Sequence, residues 1–128
     1  MTVKVRDLPP GQLLSVEPDT TLAEVAGQMR AQDSDSVVVM SAGHMVGIIT
    51  ERDLVRAIAD GLNPKQAKAG VIMTAEPATV REDEDVSVVA LRMMRLGVRH
   101  LPVVDAAGRP TGLLSAGDLV TVLDRATS

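Results

Sequence analysis

The sequence predicts an α/β protein of two tandem units, each with the element order β-α-β-β-α. Three observations predict this class. Two stretches have one form, GIITERD from Gly47 to Asp53 and GLLSAGD from Gly112 to Asp118. Upstream of each stretch, apolar residues recur at the spacing of one helix face, and aliphatic runs of strand length follow them. Because the same order of helix pattern, aliphatic runs and motif occurs twice, the chain is predicted to contain two copies of one unit.

The repeat extends over most of the 128 residues. Gly47 has its counterpart at Gly112, an offset of 65, and Val25 has its counterpart at Val89, an offset of 64. Neither half is long enough to bury a stable core alone, so we expect the two to form one module. We predict a first unit at residues 1–63, a linker at 64–70 and a second unit at 71–128.

Each unit is predicted to open with a short extended segment, Leu14–Val16 or Ala78–Val80, that leads into an amphipathic helix. The apolar residues of that helix fall at i, i+3, i+4 and i+7, which places them on one face. They are Leu22, Val25, Ala26 and Met29 in the first unit, and Val86, Val89, Ala90 and Met93 in the second. This face is expected to pack on the strands.

Two strands joined by a glycine-bearing turn are predicted to follow each helix. Their first members are the aliphatic runs Val37–Met40 and Leu101–Val104, and their second members end at Thr50 and Ser115, where a closing helix begins. Gly61 and an Asn-Pro pair end the first closing helix. Residues 65–70 are predicted to form a short connecting turn or helix with little chemistry of its own.

Composition excludes several classes of function. The formal net charge is −4 and the chain contains no Phe, Tyr or Trp, so it has neither the basic field nor the aromatic platforms of nucleic-acid-binding proteins. The absence of cysteine excludes disulfides and thiolate zinc sites and is compatible with a reducing compartment. No apolar run reaches membrane-spanning length. We therefore expect a cytoplasmic protein with no nucleic-acid or membrane partner.

The repeated motif supports two interpretations. Thr50 at a helix start, with Asp53 three residues later, is a capping pattern that needs no ligand. The same atoms also suit a nucleoside phosphate, because helix N-termini bind anions, a carboxylate accepts hydrogen bonds from ribose hydroxyls, and Gly47 allows a planar base to approach the backbone. Ser115 and Asp118 repeat the arrangement.

With this motif and RHLPVVD at Arg99 to Asp105, the chain resembles a tandem pair of cystathionine-β-synthase-type (CBS) domains, from about Val3 to Leu123. It is similar to the stand-alone two-domain proteins of bacteria, and ITERDLVRAIADGLNP resembles the actinobacterial hypoxic-response type. The resemblance implies two units packed sheet to sheet with pseudo-twofold symmetry around two clefts. It also implies a homodimeric regulatory module, not an enzyme, that signals to a protein partner.

The resemblance further implies that AMP, ADP or ATP, and in some members S-adenosylmethionine or NADH, bind in these clefts. In the first cleft, Thr50 would contact phosphate and Asp53 ribose. Residues supplied from across this cleft would be Met73, Thr74, Ala78, Val98 and Arg99. The second, weaker cleft would use Ser115 and Asp118, with Leu14, Ser34 and Asp35 opposite and His100 nearby. No resident cofactor is expected.

We expect the two clefts to differ. Where the second unit reads Met73-Thr74, the first reads Pro9-Pro10, which offers neither a hydroxyl nor a backbone N–H. Where the second unit reads Val98-Arg99, the first reads Ser34-Asp35, and a carboxylate there repels phosphate. The cleft of Thr50 is therefore predicted to be the better nucleotide site. Glu51 opposes phosphate there unless Arg52 or Arg99 compensates for its charge.

Other chemistry finds little support. His44 and His100 are the only histidines, and without cysteine they make a poor zinc set. The acidic run Glu82 to Asp85 is expected to be a solvated helix start, and no serine lies in a hydrolase motif. We predict no metal site and no catalysis. Two alternatives stay open, a structural or protein-interaction module with empty clefts and a metal-binding stress protein.

Overall fold

The computed structural model describes residues 2–9 and 11–127, with side chains as far as 124. These residues form two compact units. The first-repeat unit is Leu13–Pro77, and the second-repeat unit combines Met1–Gln12 with Ala78–Ser128. Both contain a sheet and helices, which confirms the predicted α/β class.

The first-repeat unit contains a four-stranded sheet with the order β1-β2-β3-β4. Strand β1 runs parallel to β2, and β3 is antiparallel to both β2 and β4. The elements are β1 (Ser15–Val16), α1 (Leu22–Ala31), β2 (Ser36–Ser41), β3 (His44–Thr50), α2 (Glu51–Ala59), α3 (Ala69–Ile72) and β4 (Thr74–Ala75). The buried core is Val16, Val25, Met29, Val37, Val39, Ile49 and Ala69. Leu22 is also buried, which confirms the predicted helix face at Leu22, Val25 and Met29, but Ala26 is exposed and the prediction was wrong there.

The second-repeat unit contains a three-stranded sheet with the order β5-β6-β7. Strand β5 is parallel to β6, and β6 is antiparallel to β7. The elements are β5 (Val80–Arg81), α4 (Val86–Leu96), β6 (His100–Val104), β7 (Pro110–Ser115) and α5 (Ala116–Thr127). The buried core is Val5, Val80, Val86, Val89, Met93, Leu101, Leu114 and Leu119. Among the helices that the structure describes, none is both long enough and apolar enough to cross a bilayer.

Local sequence signals fix the ends of the two long central helices. The Thr21 hydroxyl caps α1 by accepting a hydrogen bond from the Glu24 N–H at 3.2 Å. Helix α4 ends at Gly97, whose φ of 68° lies in the left-handed region where glycine has no Cβ to clash. The start of α1 and the end of α4 thus follow from one capping residue each.

The segment before each repeat belongs to the compact unit of the other repeat. The N-terminal segment, which precedes the first repeat, completes the second-repeat unit. The Val5 N–H donates to the Glu84 carbonyl at 3.0 Å and the Val86 N–H to the Val3 carbonyl at 2.9 Å, which fastens the N-terminal segment to the second-repeat unit. Val5 is only 6% exposed, within that unit's core.

The first-repeat unit repeats these hydrogen bonds with residues 67–70. The Ala69 N–H donates to the Thr20 carbonyl at 2.8 Å and the Leu22 N–H to the Ala67 carbonyl at 3.0 Å. These pairs correspond to those of the N-terminal segment at an offset of 64 residues. Residues 65–70 contain a turn and the start of α3, as predicted, but the segment does more than connect, because Ala69 is a fully buried core residue. The compact units therefore differ from the sequence repeats. Residues 1–12 belong to the second-repeat unit, and residues 64–77 belong to the first-repeat unit.

One ion pair makes the second-repeat unit sensitive to acid. The guanidinium of Arg92 pairs with the Glu84 carboxylate and also donates to the Thr79 carbonyl at 3.2 Å. The Arg92 hydrogen bond, with a second from the Arg81 N–H, lowers the pKa of Glu84 below its ordinary value of 4.5. At the corresponding positions the first-repeat unit has Thr20 and Gln28, which do not ionise.

Glu84→Gln is expected to lower the free energy of unfolding at pH 7 by about 1 kcal/mol, because it removes a charge-assisted hydrogen bond. A folded-state pKa below the unfolded one adds stability above the unfolded value, and this contribution disappears as the pH falls through the folded value. The difference between wild type and variant should therefore shrink below about pH 4.5. Urea unfolding at pH 7 and pH 3.5 measures it, with exposed Glu17→Gln as the control. A difference of the same size at both pH values contradicts the assignment.

Candidate functional site

The first copy of the repeated motif lies at the junction of β3 and α2 and forms a reciprocal cap. The Thr50 hydroxyl accepts from the Asp53 N–H at 3.4 Å, while the Asp53 Oδ2 accepts from the Thr50 N–H at 2.8 Å. The Thr50 hydroxyl also donates to the same Oδ2 at 3.1 Å. Both residues are half-buried. All hydrogen bonds to the carboxylate from described residues use Oδ2, so Oδ1 is left for another donor.

The second copy repeats the cap in looser form at the junction of β7 and α5. The Asp118 Oδ2 accepts from the Ser115 N–H at 3.0 Å, and the Ser115 Oγ accepts from the Asp118 N–H at 3.2 Å. Asp118 is exposed, whereas Asp53 is half-buried. The capping interpretation therefore holds at both junctions, and the Asp53 carboxylate is the more shielded of the two.

The first backbone N–H of α2 and that of α5 each donate a hydrogen bond within their own unit. The Glu51 N–H donates to the Asp35 carbonyl at 3.0 Å, and the Ala116 N–H donates to the Arg99 carbonyl at 2.8 Å. With the Asp53 N–H directed at Thr50, the Arg52 N–H has no acceptor among the described residues. A helix N-terminus with such a donor attracts an anionic oxygen.

The two motif glycines have different surroundings. A Cβ built on Gly47 would lie 2.5 Å from the Met73 Sδ and 2.9 Å from the Met73 Cβ, so the Met73 side chain occupies the space that this glycine leaves. A Cβ on Gly112 would meet no described atom within 4 Å. Whether a base approaches the Gly47 backbone stays a prediction, and on the Cβ side of Gly47 such a base would meet the Met73 side chain.

Comparison with known proteins shows which family these two units belong to. Residues 5–60 and 69–125 each match the sequence model of the CBS domain. The chain belongs to the CBS domain family. An uncharacterised protein of Methanopyrus kandleri is 34% identical over 123 residues, which are 94% of this chain and 63% of that protein. This chain therefore spans less than two thirds of that relative's length.

Solved CBS structures share the fold. A CBS-domain protein of Agrobacterium tumefaciens is 33% identical with a TM-score of 0.88, covering 96% of this chain and 95% of that one. A CBS domain protein of Pyrobaculum aerophilum complexed with AMP is 28% identical with a TM-score of 0.85, covering 98% and 100%. The CBS domain pair of protein MJ0100, in complex with 5′-methylthioadenosine and S-adenosyl-L-methionine, is 25% identical with a TM-score of 0.87, covering 97% and 98%.

The predicted ligand residues divide between the two CBS units in a way that the sequence did not show. The first-repeat unit contains Thr50, Asp53, Met73, Thr74, Leu14, Ser34 and Asp35. The second-repeat unit contains Ala78, Val98, Arg99, His100, Ser115 and Asp118. Met73 and Thr74 were expected from the unit opposite Thr50. Instead they lie in the unit of Thr50, because β4 pairs with β3 through Thr74 and Ile48.

Several other predicted residues have structural roles within their own units. Leu14 packs against the first-repeat core, and its carbonyl accepts from the Val38 N–H at 2.9 Å. The Ser34 hydroxyl donates to the Ser36 carbonyl at 3.0 Å. Val98 and Arg99 are exposed. Pro10, which distinguished the second cleft, lies outside the described residues.

The described side chains gather no metal site. No group of three or more His, Asp or Glu residues there is arranged to hold an ion.

Gly47→Ala is expected to lower the free energy of unfolding by about 1–3 kcal/mol, because the new methyl group forces Met73 and β4 to move. Gly112→Ala is the matched control, since the same methyl group enters open space there. It is expected to be neutral or slightly stabilising, because alanine has less backbone freedom to lose. Urea unfolding of both variants measures the contrast. Equal costs would show that Met73 does not close the space above Gly47.

Proposed function

We propose that this CBS pair is a regulatory module that binds an adenine nucleotide of the AMP, ADP and ATP class at the Thr50–Asp53 junction. The observation that carries the proposal is the half-buried Asp53 carboxylate beside an uncommitted helix N-terminal N–H. The AMP complex of the Pyrobaculum aerophilum protein supports the ligand class. S-adenosylmethionine is the next candidate, because the MJ0100 pair binds it with methylthioadenosine.

Capping and binding are compatible at this junction. Asp53 Oδ2 keeps its hydrogen bond from the Thr50 N–H while Oδ1 accepts from a ribose hydroxyl. A phosphate oxygen accepts from the Arg52 N–H at the positive end of α2. For Thr50 to donate to phosphate, its hydroxyl must turn away from Asp53, which gives up the 3.1 Å hydrogen bond. Ala78, Val98 and Arg99 remain predicted contacts of the same ligand.

The regulatory output follows from population shift. A nucleotide that binds one conformation of the module better than another shifts the equilibrium toward it, and a protein partner that distinguishes the two conformations detects the change. We propose that the module acts as a homodimer, as the family resemblance implies, and that it acts in the cytoplasm, as the cysteine-free composition suggests.

The structure also favours one alternative. Both repeated motifs form reciprocal helix caps without any ligand, which is all that a structural or protein-interaction module would need from them. The two functions differ in whether nucleotide stabilises the fold.

A thermal-shift scan of the nucleotide-stripped protein against AMP, ADP, ATP, S-adenosylmethionine and NADH tests the proposal. A ligand that binds only the folded state adds about 2.7 kcal/mol at 100 times its dissociation constant, which is readily detected as a raised unfolding midpoint. An unchanged midpoint with every adenine compound would reject nucleotide binding and favour the interaction module.

A further inference from the structure

The end of α2 is a tight turn at an Asp-Gly pair, which occurs once in the sequence. Asp60 is the residue that ends the helix, with φ −80° and ψ 1°, and Gly61 follows with a φ of 86° in the left-handed region. The Gly61 N–H donates to the Ile58 carbonyl at 3.0 Å, and the Leu62 N–H donates to the Ala57 carbonyl at 3.0 Å. These two hydrogen bonds form a Schellman turn, which satisfies carbonyls that the helix itself leaves free.

An Asp-Gly pair can rearrange without any enzyme. The main-chain nitrogen of Gly61 attacks the side-chain carboxyl carbon of Asp60 and closes a five-membered succinimide ring. The nitrogen loses its proton and the carboxyl group loses an oxygen, and these leave together as water. Water then adds back at either ring carbonyl. Opening at one carbonyl restores aspartate, and opening at the other gives isoaspartate, in which the main chain runs through the former side chain and the α-carboxylate is free.

The surroundings of the pair leave room for this ring. Asp60 and Gly61 are both exposed. A Cβ built on Gly61 would meet no described atom within 4 Å, and glycine has no side chain to shield its nitrogen. The only asparagine of the chain, Asn63, cannot react in the same way, because the Pro64 that follows it has no N–H. Asp60 is therefore well placed for ring closure.

The Schellman turn delays the reaction while α2 is intact. Ring closure requires the Gly61 nitrogen to eclipse the Asp60 Cβ about the Cα–C bond, and a ψ of 1° holds the nitrogen well away from that arrangement. The Gly61 N–H is also engaged with the Ile58 carbonyl. Both restraints end when the last turn of the helix opens, and helix ends open more readily than helix centres. Local opening of this turn therefore sets the rate.

The ends of α1 and α4 each lack one of these conditions. Helix α4 also ends at a left-handed glycine, Gly97 with a φ of 68°, but the residue before it is Leu96, which has no carboxyl group. Just after α1, Asp33 is followed by Ser34, whose side chain crowds the nitrogen. The Ser34 N–H donates to the Met29 carbonyl at 2.9 Å. We therefore expect Asp60 to react before Asp33.

We propose that Asp60 isomerises to isoaspartate as the protein ages, and that the product releases the end of α2. Isoaspartate adds one carbon to the main chain between Asp60 and Gly61, so the two hydrogen bonds of the turn no longer form together. The partner that fits the exposed product is a protein carboxyl methyltransferase that methylates the free α-carboxylate of isoaspartate. The proposal does not depend on nucleotide binding, because the pair lies at the opposite end of α2 from Thr50 and Asp53.

Peptide mapping of aged protein tests the site. The protein is incubated at neutral pH in water enriched in heavy oxygen and is then digested with trypsin in ordinary water. Cleavage after Arg56 and Lys65 yields residues 57–65 as one peptide. This peptide should give a second chromatographic peak that carries one heavy oxygen, because water opens the ring. The peak should appear before any in residues 31–52, the tryptic peptide that contains Asp33 and Asp35. Asp60→Glu keeps the charge but requires a larger ring, and it should give no second peak.

Comparison with the free peptide tests the protection by the turn. The intact protein should isomerise at least about tenfold more slowly than synthetic peptide 57–65, because two hydrogen bonds must open first. In aged protein, the Gly61 and Leu62 amides should exchange hydrogen faster than in fresh protein, whereas aged Asp60→Glu should keep the fresh rate.

Three outcomes would contradict the proposal. It is overturned if residues 57–65 of the protein give no labelled second peak while the free peptide does, or if the peak appears first in residues 31–52. Equal rates of isomerisation in the protein and in the free peptide would overturn the role of the Schellman turn.

Discussion

Asp53→Ala is expected to remove the stabilisation that AMP confers, about 2.7 kcal/mol at 100 times the dissociation constant, because it deletes the carboxylate that we propose accepts from the ribose hydroxyls. The free variant should also lose about 1 kcal/mol of unfolding free energy, since Asp53 Oδ2 accepts from both the N–H and the hydroxyl of Thr50. Calorimetry with AMP measures the first effect, and urea unfolding without ligand measures the second.

Asp118→Ala is the matched control, because its carboxylate closes the same cap in the other unit. It should cost a similar amount of stability and leave the AMP-induced shift intact. If both variants retain the shift, Asp53 is only a capping residue. If Asp118→Ala alone abolishes it, the nucleotide site is at Ser115 and the predicted asymmetry of the two sites is reversed.

Val5→Asp is expected to lower the free energy of unfolding by about 3 kcal/mol or more, because it places an unpaired carboxylate in the second-repeat core. Val5 is 75 residues before Val80 in the chain, yet both belong to this core. A flexible N-terminal arm would instead tolerate the charge. Urea unfolding, followed by far-UV circular dichroism, measures the loss.

The equivalent substitution in the other unit provides a second test. Ala69→Asp, at a fully buried position, should cost about as much as Val5→Asp. Exposed neighbours serve as controls, and Arg6→Ala and Lys68→Ala should each change stability by less than about 0.5 kcal/mol. If Val5→Asp costs no more than Arg6→Ala, the N-terminal segment does not complete the second-repeat core in solution.

The sequence predicted the elements of each unit because their signals are local. The spacing of Val25 and Met29 determines the buried face of α1, and the Thr50 and Asp53 pair determines the start of α2. The duplication supported each of these predicted elements by a counterpart in the other repeat. These features depend on periodicity and capping, which are properties of neighbouring residues.

The pairing of segments across the chain was not predictable in the same way. Residues 3–6 and 67–70 are fastened by backbone hydrogen bonds and by one core residue each, Val5 and Ala69, which is too little side-chain pattern to detect in the sequence. Met73 was assigned to the wrong unit for a related reason, because strand pairing between distant segments cannot be read from the sequence. Its position in the repeat assigned it to the second unit, but pairing of β4 with β3 brings it over Gly47.

The leading segments, residues 3–6 before the first repeat and 67–70 before the second, each bond to the unit of the other repeat. This exchange suggests how the duplicated chain arose. A single ancestral repeat would carry its leading segment without a second repeat to receive it. Two such chains could each donate that segment to the other, forming the same two units from separate molecules. Fusion of the two genes would then make this exchange of segments intramolecular, so that it no longer depends on concentration. The fused chain passes from one unit to the other near Gln12 and near Pro77. On this view, residues 64–128 produced alone should assemble in pairs.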